Sequence, residues 1–195
     1  DLDIIYIALP NSLHYEWVMK SIEKEKNILV EKPATVNFLQ MENIKNNLKD
    51  KNIFFSEAFM YRYHPQISKV VDLLENNVIG NLVSMESLFG FDGLGRKKIF
   101  GIKLNKLKKK PNRNNRLYNK ELGGGAILDL GCYPVSFSIL IASLISKFDF
   151  IKTKVLNKKK EIGPTGVDMN SFAELNFENN FRSTIGVSFT QNLGN

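Results

Sequence analysis

The sequence predicts two units of different class. Residues 1–60 read as an α/β unit, half of a doubly wound parallel sheet. Residues 61–195 read as an α+β unit built on a mainly antiparallel open sheet. Three observations carry this. Short apolar runs alternate with helical stretches at the start of the chain, as parallel strands with crossover helices do. That alternation stops near residues 57–64. Beyond it come strand-like runs in succession, the last two separated by Asn179-Asn180, a pair suited to a hairpin turn.

The elements follow in order. Residues 3–9, DIIYIAL, are β-branched and aromatic, the mark of a buried parallel strand. Pro10-Asn11-Ser12 breaks the run and offers a helix N-cap, and a helical pattern extends to about Lys26. Asn27 to Val30 is a second strand, ended by Glu31-Lys32-Pro33. A helix from Asn37 to about Leu48 and a strand from Ile53 to Ser56 complete the first unit. In the second, residues 65–77 read as a helix, and Leu82 to Phe91 as a strand with one face in an antiparallel sheet. Residues 93–120 are basic, rich in Asn and poor in periodicity, and read as a long excursion. Gly123-Gly124-Gly125 leads into an apolar helix to about Ile145. Strands are expected at about 149–157, 169–178 and 181–190.

The 195 residues are 43% hydrophobic, 11% aromatic and 24% charged, the profile of a chain with a substantial core. No window reaches the ~18 unbroken apolar residues of a membrane helix; the most apolar stretch, Ala126 to Ile145, is interrupted by Asp129, Gly131 and Pro134. One cysteine excludes an internal disulfide and a multi-cysteine zinc site. His14 and His64 lie too far apart in sequence to suggest a metal site. The net charge of +7 is carried in short lysine runs without interleaved aromatics, which argues against nucleic acid as a partner. Cytoplasmic location is the expectation.

Chemistry concentrates in a few places. Asp129 and Tyr133 are spaced i, i+4 and share a helix face. Burying such a polar pair on an apolar helix is costly unless it is used or satisfied. A tyrosine working near neutral pH needs a cation beside it, and Lys32 is the candidate, placed after a strand end, where open parallel sheets take ligands. Pro134 is expected to kink the helix here. A bland alternative stands beside this: a tyrosine capping the core and an aspartate bonding backbone amides. Asn11 and His14 follow the preceding strand on the same edge. Arg62 and His64 stand at the unit boundary, where clefts form; an inter-unit ion pair is the bland reading for Arg62. Cys132 reads as a small packed residue.

Several of these segments, in order, resemble one family. They are Ile7-Ala8-Leu9-Pro10-Asn11-Ser12-Leu13-His14, Val30-Glu31-Lys32-Pro33-Ala34, Glu57-Ala58-Phe59-Met60-Tyr61-Arg62-Tyr63-His64-Pro65, Asn115-Arg116-Leu117 and Gly123 through Val135. Together they are similar to the glucose–fructose oxidoreductase / inositol dehydrogenase (Gfo/Idh/MocA) family, and the similarity runs on through Gly166-Val167-Asp168. The Leu-Gly-Cys-Tyr-Pro-Val form, with Tyr133 where many relatives carry His, most resembles the branch of trans-dihydrodiol dehydrogenases and NADP-linked D-xylose dehydrogenases.

The resemblance implies an NAD(P)-dependent oxidoreductase, NADP by branch, in which the first unit is the second half of a Rossmann-like domain. It implies Lys32, Tyr133 and Asp129 as catalytic residues: Tyr133 the acid/base, Lys32 tuning it, Asp129 orienting the substrate. It implies Pro10, Asn11, His14, Glu31, Lys32, Pro33, Arg62 and Arg116 at the cofactor. The substrate would be a polyol, aldose or dihydrodiol, and the full-length protein would self-associate through the sheet of its second unit. A non-catalytic sugar- or nucleotide-sensing protein on the same scaffold is the alternative. Gly123-Gly124-Gly125 is not the glycine fingerprint of a dinucleotide site, because no strand precedes it and Leu128 stands at the last position. The sequence is therefore expected to be a fragment lacking the N-terminal glycine-rich βαβ and the C-terminal end, and to bind NADPH negligibly by itself.

Overall fold

The computed structural model describes residues 2–99 and 102–193. The first unit is a parallel sheet in the order β1 (Ile4–Ile7), β2 (Asn27–Val30), β3 (Phe55–Glu57). Two helices connect the strands, α1 (Asn11–Glu23) and α2 (Phe38–Leu48). Parallel neighbours need such crossovers. Ile7, Val18, Ile22, Ile28, Val30 and Ile44 are buried together between sheet and helices. Asn37 caps α2 by accepting from the Gln40 N–H, as its position before the periodic run suggests. The cap expected for α1 is absent. Pro10 occupies that position and no side chain bonds the free amides; the Asn11 carboxamide is engaged elsewhere, as shown below.

A 3₁₀ turn at Met60–Tyr63 leads into α3 (Pro65–Glu75), capped by His64 through Nδ1 and the Gln66 N–H. The second sheet has the order β4 (Ser84–Gly90), β9 (Arg182–Ser188), β8 (Asp168–Asn176), β7 (Lys154–Ile162). β7–β8 and β8–β9 are antiparallel, but β4 runs parallel to β9. The antiparallel expectation for residues 82–91 is thus corrected. The partner of β4 is not the next strand but one reached through a long crossover that contains the core helix, and alternation reports a half-buried strand without its direction.

Two further corrections concern the weakly patterned stretches. The excursion at 93–120 contains a hairpin, β5 (Arg96–Ile99) with β6 (Ile102–Lys108), and then two 3₁₀ turns; residues 100 and 101 of it lie outside the described residues. The hairpin forms a sheet of its own, apart from the four-stranded sheet. The strand expected at 149–157 lies at Lys154–Ile162 instead. Asp149 accepts from the Ile151 N–H and turns Phe150–Lys152 into a 3₁₀ segment. Every residue of β7 is exposed, and its lysines suit an edge strand, where charge discourages further pairing.

The helix after the glycines is α4 (Cys132–Ile145), preceded by one π-helical turn at Ile127–Gly131. By length and composition the run Lys120–Ile145 is apolar enough to cross a membrane. Here α4 lies on the sheet, with Ile141 and Ala142 buried against Leu175, Phe177, Phe181 and Ile185. Ser138 Oγ donates to the Pro134 carbonyl at 2.6 Å and lies 2.7 Å from Ser183 Oγ on β9, which gives two buried hydroxyls their partners. At the other end Leu130 and Ala126 pack with Met169, Val187 and Phe189.

Gly125, at φ +123°, is where the chain enters the π-turn. Asp168 Oδ2 accepts from the Ile127 N–H at 2.8 Å and from Ser171 Oγ at 2.7 Å. A Cβ on Gly125 would run into Asp168 Oδ1. Gly125→Ala is therefore expected to destabilise the protein by about 1–3 kcal/mol through backbone strain and the displaced aspartate. A urea midpoint equal to wild type would contradict that.

Candidate active site

The loops after β1 and β2 meet the π-turn of the second unit, and the lysine expected at a strand end bridges them. Lys32 Nζ donates to the backbone carbonyl of Asp129 at 2.6 Å and lies 3.6 Å from its Oδ1. The same ammonium stands 4.7 Å from the centre of the Tyr133 ring. Arg116 NH1 donates to Asp129 Oδ1 at 2.9 Å. The Asp129 carboxylate therefore faces two cations while its side chain is only 9% exposed. The structure brings Lys32, Asp129, Tyr133 and Arg116 together as one cluster.

The helix delivers this pair by an unexpected local geometry. Pro134 does not simply kink an α-helix; the turn before it is π-helical. Such turns recur at functional sites because they realign side chains by part of a turn. Tyr133 is walled by Phe59, Tyr61 and Phe89, with ring centres 5.9, 6.2 and 5.6 Å away in edge-to-face contact.

Burial of Tyr133 among these rings pushes its phenol above the ordinary tyrosine value. The charge of Lys32 and its hydrogen bond pull the other way but do not prevail. This corrects the simple expectation that a neighbouring lysine brings Tyr133 down toward neutrality: desolvation is the larger effect in a ring-lined setting. The phenol keeps its proton at neutral pH and stands as a proton donor. Cys132, next to it, is pushed up to about 12, mainly by burial. Its thiol points at the Asp129 carbonyl at 3.7 Å, so it is a protonated packing group and not a nucleophile.

The other expected residues are placed as follows. Glu31 Oε1 accepts from Tyr6 OH at 2.6 Å, beside Lys32. Pro10 and Pro33 shape the two strand ends. Asn11 is buried, and its Nδ2 donates to the Gly123 carbonyl at 2.9 Å, tying the start of α1 to the glycine turn. His14 departs from the expected contact with a cofactor. It is fully buried, with Nδ1 2.8 Å from the Pro33 carbonyl and Nε2 2.7 Å from the Leu9 carbonyl. It is a strut between the two loops, with no exposed atom to give a ligand. Arg62 reaches across the units: its NH2 donates to Ser136 O and Oγ, both at 3.3 Å. His64 caps α3, away from the cluster.

Three contributors were not singled out by sequence reasoning. Glu57, at the end of β3, accepts from the Ala34 N–H at 2.8 Å and braces the loop that carries Lys32. Burial raises its carboxyl above the usual glutamate value, against the pull of that N–H and of the charges on His14, Arg62 and Lys32. Tyr61 OH lies 2.9 Å from Ser136 Oγ. A strand-end carboxylate and an aromatic beside Arg62 were the available signals. A cavity of about 470 Å³, lined by Glu57, Phe59, Arg62, Cys132 and Ser136, flanks the cluster. The larger one, about 840 Å³, lies between the Gly123–Leu128 segment and β7–β8, and Lys32, Asp129 and Tyr133 do not line it. The cluster thus adjoins the smaller of these two cavities.

Comparison with known proteins adds relatives to this geometry. The chain is 33% identical over 135 residues to a dTDP-3,4-didehydro-2,6-dideoxy-alpha-D-glucose 3-reductase of Actinomadura kijaniata, covering 69% of this chain and 36% of that protein. It is 28% identical over all 195 residues to the trans-1,2-dihydrobenzene-1,2-diol dehydrogenase of Xenopus tropicalis, 52% of that protein. The chain thus spans between about a third and about half of the length of these relatives. Among solved structures, a 3-ketoreductase from Actinomadura kijaniata in complex with NADP and TDP-benzene shares the fold, with a TM-score of 0.75 at 23% identity over 97% of this chain and 52% of that one. Residues 1–59 match the oxidoreductase family's NAD-binding Rossmann fold and residues 67–195 match the GFO/IDH/MocA C-terminal domain. Together these two matches, which cover the Rossmann-like parallel sheet and the mixed sheet that follows it, make this chain a member of the GFO/IDH/MocA family.

Proposed function

We propose that the protein is an NADP- or NAD-dependent oxidoreductase that interconverts a carbinol and a carbonyl on a small polyol, aldose or dihydrodiol. Tyr133 and Lys32 are its proton-handling pair. The observation that carries this reading is the Lys32 ammonium held by Asp129 and set 4.7 Å from the centre of the Tyr133 ring. The names of the relatives, a sugar 3-reductase and a dihydrodiol dehydrogenase, support the same chemistry.

The residues present fit the nicotinamide end of a dinucleotide. Pro10, Asn11, Glu31, Lys32 and Pro33 stand at the C-terminal ends of β1 and β2, the edge where open parallel sheets take ligands. When bound, the nicotinamide accepts or gives the hydride. The chain does the rest. In reduction the Tyr133 hydroxyl donates its proton to the oxygen of the carbonyl that becomes the alcohol; in oxidation the phenolate takes that proton back. Lys32 stabilises the phenolate that forms. Asp129 fixes Lys32 and Arg116 at the mouth, and Phe59 and Phe89 exclude water around the phenol.

The outward face of the second sheet carries Leu88, Phe172 and Gly186 side by side, with Glu86, Glu174 and Arg182 nearby. Alternate positions on these strands pack on α4, so this face is open to a second copy. We assign self-association to it, and a small molecule rather than nucleic acid to the cleft.

Both readings are open to test in the protein expressed from its whole gene. Tyr133→Phe is expected to lower kcat/KM by about 10²–10⁴-fold while leaving NADP binding nearly intact. Lys32→Met should cost a similar factor. Wild-type turnover in both would reject the assignment. Because the Tyr133 phenol sits above its ordinary value, carbonyl reduction should hold steady through neutral pH and decline only as alkaline pH removes that proton. A decline centred near neutrality would speak for a different donor. Phe172→Glu should shift sedimentation toward the monomer without loss of folding; an unchanged sedimentation profile would remove this face as the interface.

A further inference from the structure

We infer that both ring nitrogens of His14 donate hydrogen bonds, so that the residue is a buried imidazolium and a positioning residue for Lys32. The positioning role rests on the reading of Lys32 and Tyr133 as the proton-handling pair.

His14 is fully buried on α1, between the loops that follow β1 and β2. Its Nδ1 lies 2.8 Å from the Pro33 carbonyl oxygen and its Nε2 2.7 Å from the Leu9 carbonyl oxygen. Both are distances of good N–H···O bonds. A carbonyl oxygen only accepts, so each contact needs a proton from the ring. A neutral imidazole has one N–H and one lone pair. It would serve one carbonyl and set its lone pair against the oxygen of the other. Turning the ring over about its Cβ–Cγ bond offers no escape, because C–H groups would then face both oxygens. Among the described residues no backbone N–H reaches either oxygen, which leaves the ring as their donor.

A buried cation is costly unless charge or dipoles oppose it. Here two carbonyl dipoles aim their oxygens at the ring. Glu57, at the end of β3, is the acid that feels the His14 charge, together with those of Arg62 and Lys32.

The connection to Lys32 runs through one peptide group. The C=O of Pro33 and the N–H of Ala34 belong to the same peptide bond. His14 Nδ1 donates to that carbonyl, and Glu57 Oε1 accepts from that N–H at 2.8 Å. A peptide group is planar and stiff, so a grip on both of its polar ends fixes its orientation. On the other side of Lys32, the Glu31 N–H donates to the Ile7 carbonyl at 2.9 Å. The backbone is thus held immediately before Lys32 and immediately after it. From that base the Lys32 ammonium reaches the Asp129 carbonyl at 2.6 Å. The second ring proton adds the Leu9 carbonyl, and so lets one side chain lock the loop after β1 to the loop that carries the lysine.

The test uses the protein expressed from its whole gene with ¹⁵N-labelled histidine. The His14 ring signals, identified by their loss in His14→Gln or His14→Phe, are expected to show a directly bonded proton on both nitrogens. A proton on one nitrogen alone overturns the inference. His14→Gln keeps one donor nitrogen and brings an acceptor oxygen, so it cannot serve both carbonyls. It is expected to lower kcat for alcohol oxidation about tenfold or more, as displacement of a reacting group does, with KM for the alcohol changed less than about threefold. A merely structural role predicts a lower thermal midpoint with kcat of the folded protein unchanged, and that result overturns the positioning role. Glu57→Leu frees the other end of the same peptide and guards against a His14 variant that does not fold. It should lower kcat in the same way, and a wild-type kcat there also overturns the positioning role. Full activity in Tyr133→Phe and Lys32→Met rejects the functional reading instead, and the ring spectrum decides the state of His14 in either case.

Discussion

One nearly buried ammonium organises this molecule. The Lys32 side chain is 13% exposed and its partner Asp129 9%. A charge withdrawn this far from water is costly unless its N–H groups find oxygen. Lys32 rises from the first sheet, and its oxygens come from the helix of the second unit. The two units must therefore meet at this point, and the secondary contacts show how they are held there. The Asn11 amide holds the Gly123 carbonyl from one side. Arg62 and Tyr61 hold Ser136 from the other. His14 and Glu57 fix the loop between them through Pro33 and Ala34. These are hydrogen bonds to backbone or hydroxyl groups, each modest at ~1 kcal/mol; those of His14 and Glu57 fall on the loop that carries Lys32, and the others join the two units on either side of it.

Two opposing effects set the protonation of the groups around it. Removal from water favours neutral forms, and the Lys32 charge favours anions. For Tyr133, Cys132 and Glu57 the first effect is the larger, and all three are displaced upward. A site built to hold a permanent phenolate would show the reverse order. The arrangement instead keeps a protonated phenol beside a cation that can stabilise the phenolate once the proton has left, which suits a step in which charge appears only during reaction.

The sequence was most readable where one periodicity dominated. The β1–α1–β2–α2–β3 order followed from short apolar runs punctuated by Pro10, Glu31-Lys32-Pro33 and Asn37. The Lys32, Asp129 and Tyr133 cluster followed from a polar pair on an apolar helix and a lysine after a strand. Direction was not readable: Met85, Ser87 and Phe89 alternate inward whether β4 meets β9 parallel or antiparallel. Nor was β7, whose edge position leaves Lys158, Lys159 and Lys160 free of any burial constraint. The failed cap at Asn11 and the buried strut at His14 have the same origin. Both residue types have a common local use, and here a partner more than ten residues away, or in another loop, offered the better hydrogen bond. Long-range partners of this kind leave no local pattern.

The π-turn shows how sequence and site are coupled at the smallest scale. An i, i+4 spacing places two side chains near one face in an α- or a π-turn, so Asp129 and Tyr133 converge in either geometry. What differs is the backbone. A π-turn spaces a carbonyl and its amide five residues apart where an α-turn spaces them four apart. A carbonyl in that position is an oxygen without cost of deprotonation or side-chain entropy, fixed by the helix and by Gly125 and Asp168 at its start. A cation bound to it is positioned by the fold itself, and the Asp129 carboxylate is left to share its charge with Arg116. The pairing of a side-chain ammonium with a main-chain oxygen thus makes the placement of the Lys32 charge a property of how two units pack.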